Sequence, residues 1–200
     1  PNEVAPAALG MMQPRPVRAQ IFGSMRFNSN GPWAEAKQLQ EEFAKLDIKL
    51  HIMNITAGQN ITDAVRAFQM TLETRLTLPL PTQVFSTMLE CDAFIAFATR
   101  DYGENTGNSA ATDKELDFWQ SYMMRKGAKT LIPVRMIPWG EEFDFLAARV
   151  LFNMNNIVIT WIKGDDMPPT IVKDILESMI RKGMPLEDIL EAVLAGSASG

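Results

Sequence analysis

Apolar positions along this chain fall into five short, nearly continuous runs. Between the runs, apolar residues recur every three or four positions. Residues 17–25 (VRAQIFGSM) form the first run and stop at Arg26, which predicts a first, central strand. A polar loop at 27–32 follows, and Pro32 suits the first turn of a helix. Across 33–46, Ala36, Leu39, Phe43 and Leu46 are spaced for one helical face, with Glu35, Lys37, Gln38, Glu41 and Glu42 turned outward. Residues 48–55 (IKLHIMNI) predict strand two. The loop 56–60 is centred on Gly58, and Thr62 can cap a helix through Ala64, Val65, Phe68 and Leu72. Pro79 and Pro81 predict an inserted bend over 74–81 in place of a helix. A short apolar helix at 84–89 leads to strand three at 92–98. Helix three is expected over 112–125, strand four over 130–137, a short helix over 141–150 and strand five over 156–162. Pro168 and Pro169 open a helix at 170–180 that Gly183 stops, and a last short helix spans 186–194.

Strands that are apolar throughout and alternate with helices predict a parallel sheet covered on both faces. Right-handed crossovers leave few topologies. The expected one is a flavodoxin-like three-layer α/β sandwich with strand order 2-1-3-4-5 and its switch point between strands one and three. The loops after those strands, 26–32 and 99–111, should face each other across one cleft. Residues 1–16 are rich in Pro and Ala and read as a flexible arm or linker. Residues 17–182 read as the α/β domain, and 183–200 as a short helix with a flexible tail. A chain that starts at Pro1 and ends GSASG is expected to be a piece of something longer.

Composition narrows the function classes. At 200 residues, 46% hydrophobic and 22% charged, the chain can build one sizeable core. Its net charge of −5 and the lack of a basic run predict no nucleic-acid surface, although one local arginine can hold a phosphate. The single cysteine, Cys91, rules out an internal disulfide and fits a reducing, cytoplasmic setting. No apolar run reaches the roughly 18 residues a bilayer span needs, and no secretory pattern opens the chain. Strand one runs into Gly23-Ser24-Met25-Arg26-Phe27-Asn28 without a GxGxxG, and GxxxxGK[ST] is absent. A nicotinamide redox cofactor and classical nucleotide triphosphatase chemistry are therefore not expected. His51, inside strand two, and Cys91, just before strand three, read as structural. No metal site is expected.

The chemistry concentrates in 91–119 (CDAFIAFATRDYGENTGNSAATDKELDFW): a buried strand, a long polar loop, then a helix with Glu115 in its first turn. Open α/β sheets build sites beyond the carboxyl ends of their strands. Thr112-Asp113-Lys114-Glu115 fits a capping box, in which Thr112 caps the helix and Glu115 reaches back to the Thr112 N–H. The same placement fits a functional carboxylate, kept ionised at neutral pH by the helix dipole and poised as a nucleophile or as an oxocarbenium-stabilising anion. Trp119, four residues on, shares that face and is either core or an aromatic pocket floor. Tyr102 can stack on a base or ribose. Arg26 is placed either to clamp a phosphate or to pair with an acidic neighbour.

These residues resemble the Toll/interleukin-1 receptor (TIR) domain family over about 17–180. Ile21-Phe22-Gly23-Ser24-Met25-Arg26 is similar to the family's opening strand, with Met25 where an aromatic is usual. Residues 56–61 around Gly58 resemble its second-strand loop. Glu90-Cys91-Asp92-Ala93-Phe94-Ile95 is similar to its S-D-x-F-[IV] lead into strand three, and Tyr102 falls where an aromatic follows. Lys114-Glu115-Leu116 resembles its C-x-x-E-[LI] helix without the preceding W-C. Nucleoside 2-deoxyribosyltransferases are similar in a second way, through Thr112-Asp113-Lys114-Glu115, with Ala111 where that family has glycine.

The TIR resemblance implies two lives. One is cleavage of NAD⁺ at its nicotinamide–ribose bond, giving ADP-ribose or a cyclised product, with NAD⁺ as substrate and no cofactor. Glu115 would be catalytic, Arg26 and Ser24 would hold phosphates, Tyr102 and Trp119 would line the nicotinamide or ribose end, and Gly58 would belong to the substrate loop. The other is a non-catalytic signalling scaffold. In both lives self-association into a homo-oligomer is expected, in a setting of immunity or controlled cell death. The second resemblance implies base exchange on nucleosides. Both families break an N-glycosidic bond with a carboxylate.

Overall fold

A computed structural model describes residues 16–52, 80–107, 111–123, 130–154 and 157–197. Five strands, β1 (Ala19–Met25), β2 (Ile48–Ile52), β3 (Ala93–Ala98), β4 (Thr130–Arg135) and β5 (Ile159–Thr160), alternate with helices. The helices are α1 (Trp33–Ala44), α2 (Leu80–Glu90), α3 (Thr112–Phe118), α4 (Leu146–Met154), α5 (Ile171–Ile180) and α6 (Glu187–Ser197). A π-helical segment, Trp119–Met123, continues α3. Every strand pairing is parallel and the order is β2-β1-β3-β4-β5. This is the flavodoxin-like α/β sandwich that the hydrophobic pattern predicts.

Strand alternation sorts side chains onto two cores. Ile21, Met25, Ile95, Phe97, Ile132 and Val134 point to one face, against Leu39 and Phe43 of α1, Ile175 and Met179 of α5, and Ile189 of α6. Phe22, Phe94, Ala96 and Ala98 point to the other, against Met88, Leu116, Trp119 and Leu151. The Phe22 and Phe94 rings stack at 5.7 Å. Burying each such ring stabilises the fold by about 1.5–3 kcal/mol. The same alternation puts Ser24 on the Phe22 face, under α3. Asp188 of α6 takes both terminal oxygens to Arg18 at 2.9 Å and so ties the last helix to the start of β1.

Several element ends differ from the sequence reading, each for a local reason. The helix expected over 141–150 starts only at Leu146 and runs to Met154. Tertiary partners claim the carbonyls before it. Arg135 donates to those of Ile137, Pro138 and Glu141, and Arg149 to those of Phe143 and Asp144. Pro81 does not break α2, because it lies in the first turn, where no intrahelical N–H is required. Helix three stops being α-helical at Phe118. Strand five shortens to Ile159–Thr160, and strand four ends at Arg135. The arm at 1–15, the end of strand two at 53–55, the loop with Gly58, the helix begun at Thr62, the bend over 74–79 and the tail at 198–200 lie outside the described residues. Among the described residues no helix is long and apolar enough to cross a membrane.

Candidate functional site

The chain leaves β1 through a tight turn whose geometry depends on Gly31. A Cβ there would lie 2.0 Å from the Arg26 carbonyl oxygen, so only glycine fits. Arg26 is thereby held at the carboxyl end of β1, across from the loop that follows β3. Its Nε lies 3.4 Å from Asp101 Oδ2, and its Nη2 pairs with Glu104. Asn28 Nδ2 donates to Asp101 Oδ2 at 2.7 Å, and Thr99 Oγ1 to Asp101 Oδ1 at 2.7 Å. Burial alone would raise the Asp101 carboxyl. Bonds from Thr99 and Asn28, with the Arg26 charge, outweigh it and hold the group below its ordinary value. The two loops therefore meet across the switch point, as the topology predicts.

Beneath that ion pair lies a buried polar chain. Ser24 Oγ donates to Glu115 Oε2 and lies 2.7 Å from Tyr102 OH. Either hydroxyl can donate in the Ser24–Tyr102 bond, and its direction follows the protonation of Glu115. All three side chains are buried, Glu115 at 2% exposure. Two further bonds hold the geometry. The Gly103 N–H donates to Thr112 Oγ1 at 3.0 Å, and the Tyr102 N–H to the Thr99 carbonyl at 3.1 Å. Gly103 has φ +82°, and a Cβ there would press on Ala147 at 3.2 Å, which leaves glycine as the fitting residue.

These contacts correct four sequence expectations. Thr112 is not a capping residue: Ala111 holds the N-cap position with no side-chain cap bond, and Glu115 bonds Ser24 instead of reaching back. Glu115 is not kept ionised. Burial pushes its carboxyl up to about 8, and nearby Asp113 adds to the rise, against the lowering effect of the Ser24 bond. At neutral pH it is mainly the protonated acid. Tyr102 is no loop aromatic open to a base. It is fully buried, and burial and the Glu115 charge raise its phenol well above the ordinary value despite the Ser24 bond. Arg26 and Ser24 do not form a phosphate clamp in this arrangement, because Arg26 is occupied by two carboxylates and Ser24 by Glu115. Trp119 belongs to the core beside Tyr102 and Leu116, at 8% exposure. Gly58 lies outside the described residues.

Sequence reasoning missed Asp101, Glu104 and Asp113. Asp101 and Glu104 had a readable signal, since acidic residues opposite Arg26 across a predicted cleft are its natural partners. His51 bonds Gln20 Oε1 at 3.0 Å, and burial, with the Lys49 charge, lowers it to about 4, so it is neutral and structural. Cys91 is buried. An open recess of about 330 Å³ lies elsewhere, at the carboxyl end of β4, lined by Arg135, Trp139, Arg149, Phe152 and Asn153 among others. None of Ser24, Tyr102 or Glu115 lines it. Among the described residues no group of three His, Cys, Asp or Glu side chains is placed to hold a metal ion. Comparison with protein-family models, with curated proteins and with solved structures finds no match.

Proposed function

We propose that this chain cleaves the N-glycosidic bond between nicotinamide and ribose in NAD⁺ or a closely related nucleotide, with Glu115 as the catalytic carboxylate. One observation carries the reading. A glutamate from the helix after β3 is buried at the sheet's switch point and hydrogen-bonded to Ser24 of β1. The resemblance to NAD⁺-cleaving TIR domains points to the same residue.

The raised carboxyl fits a cationic substrate. A neutral acid cannot stabilise a ribosyl cation, but a pyridinium brought near Glu115 favours the charged form and lowers its pKa. The mouth above it carries one arginine against two carboxylates, Asp101 and Glu104, and so favours a cation over a bare phosphate. In the reaction the C1′–N bond breaks and its electron pair leaves with the ring nitrogen, which becomes neutral nicotinamide. The ribosyl cation is held or trapped by the Glu115 carboxylate. Water then adds its oxygen to C1′ and releases a proton, giving ADP-ribose; attack by an adenine nitrogen gives the cyclised product instead. Glu115 is closed off at rest, so a step that opens the two loops must precede chemistry, and self-association is the expected trigger.

The test is incubation with NAD⁺ at high protein concentration, with nicotinamide and ADP-ribose followed by chromatography. The parent should release nicotinamide and Glu115→Gln should not. Equal release by the variant refutes the role of Glu115. A second reading, the non-catalytic scaffold, is favoured by the closure of Glu115 inside a hydrogen-bonded chain that ties β1 to α3. It predicts no release from well-folded, assembled protein.

A further inference from the structure

Two arginines line the recess at the carboxyl end of β4, and each uses only part of its guanidinium on the protein. Arg135 is the more constrained. It is 7% exposed, and its guanidinium packs 4.9 Å from the Phe143 ring and 5.0 Å from the Trp139 ring. Its Nε donates to the Ile137 carbonyl at 3.1 Å, and its Nη2 to those of Pro138 and Glu141. Among the described residues all of its hydrogen bonds run to carbonyls, none to a carboxylate, and Nη1 takes part in none of them. Arg149 repeats the pattern. Its Nε and Nη2 hold the Phe143 and Asp144 carbonyls at 2.6 and 3.4 Å. Its Nη1 has Glu142 at 3.9 Å, beyond hydrogen-bond distance, and that side chain is 85% exposed. A buried guanidinium without a carboxylate partner is unusual, because a charge taken out of water is normally matched by an opposite one.

The nearby carboxylates do not supply that match. Glu141 also lines the recess, but its carboxylate pairs with Arg100. Arg100, Arg135 and Arg149 against Glu141 and Glu142 leave a positive excess, in a chain whose net charge is −5. The recess of about 330 Å³ is large enough for a small organic molecule. Its apolar wall is fixed in advance. The Phe143 and Phe152 rings stack at 4.6 Å, and the Trp139 indole, 67% exposed, is held by its N–H bond to Thr160 Oγ1 at 3.1 Å. We propose that this recess binds a small organic oxyanion, a carboxylate or a phosphate monoester. The head group accepts from Nη1 of Arg135 and of Arg149, and the body lies against Phe152 and Trp139. Neither Glu115 nor its bonded partners line the recess, so the site stands apart from the N-glycoside chemistry proposed above.

The experiment follows the Trp139 indole N–H by nuclear magnetic resonance in ¹⁵N-labelled protein, the signal being assigned by its loss in Trp139→Phe. The probes are benzoate, phenyl phosphate, neutral benzamide and inorganic phosphate, at fixed pH and ionic strength. Benzoate or phenyl phosphate should shift the signal saturably, and the tighter of the two names the head group. Benzamide and inorganic phosphate should bind about 10-fold more weakly or worse. Arg149→Gln should weaken the anion by about 10- to 100-fold. That change also takes the donor from two carbonyls, so a second variant on an exposed side chain accompanies it. Glu142→Gln removes the competing carboxylate and should tighten binding by about 2- to 5-fold. Several outcomes overturn the proposal: benzamide that binds as well as benzoate, inorganic phosphate that binds as well as phenyl phosphate, or an affinity that Glu142→Gln fails to raise. The absence of a saturable Trp139 shift with either organic anion up to about 10 mM overturns it as well.

Discussion

Glu115→Gln should stabilise this protein at alkaline pH. Glutamine has nearly the same shape, stays neutral and keeps a carbonyl oxygen to accept from Ser24. The native carboxyl titrates near 8 against an ordinary 4.5, chiefly because burial penalises its charge. The unfolded chain therefore gives up this proton near 4.5, while the native state holds it to about 8. The stability that the protonated acid contributes is complete below 4.5, is lost as pH rises through that window, and is gone above about 8. At 1.36 kcal/mol per pH unit the whole window spans about 4–5 kcal/mol. Residual structure in the unfolded chain lowers that ceiling, and about 2–4 kcal/mol is the working figure. For a chain of this size that is about 5–15 °C in Tm. Scanning calorimetry at pH 5, 7 and 9 and matched ionic strength reads it directly. Parent and variant should melt close together at pH 5, and the variant should melt higher at pH 9. Parallel Tm–pH curves, or a variant that falls below the parent at pH 9, would show that Glu115 titrates as an ordinary carboxyl and would refute the account of the site.

Two further outcomes follow from single contacts. Ser24→Ala removes the bond that lowers the Glu115 pKa, so the rising alkaline limb of kcat/KM for nicotinamide release should move to higher pH; a limb that stays in place would separate Ser24 from the acid's titration. Gly31→Ala places a methyl 2.0 Å from the Arg26 carbonyl oxygen, so urea unfolding should show a loss of more than about 2 kcal/mol, and a loss below about 0.5 kcal/mol would mean that the turn simply reshapes.

The sheet was legible because its strands are apolar on both faces. Ile21 beside Phe22 and Phe94 beside Ile95 admit no solvent-facing side, and parallel strands need crossover helices. Element ends were less legible, because what ends an element is often a residue far along the chain. The stretch 141–145 has enough apolar spacing for a helix. It stays irregular because Arg135 and Arg149 take the carbonyls around it, and the Arg135 guanidinium also packs 4.9 Å from the Phe143 ring and 5.0 Å from the Trp139 ring. A local pattern contains none of those partners.

The site shows the same division more sharply. That Glu115 enters the first turn of a helix behind β3 follows from local spacing. What its oxygens bond does not, since Ser24 lies 91 residues earlier and reaches Glu115 only through the strand order. The charge state is decided by magnitude. A helix terminus is worth about 0.3–1 kcal/mol to a surface carboxylate, and α3 has only seven residues. Moving a carboxylate out of water costs several kcal/mol, so burial wins and the group is neutral at rest. A neutral acid in a closed site cannot be the working form of a cation-stabilising carboxylate. If Glu115 works on an N-glycoside, the charge it needs has to arrive with the ligand, as a positive ring that makes ionisation favourable only when something is bound to be cleaved.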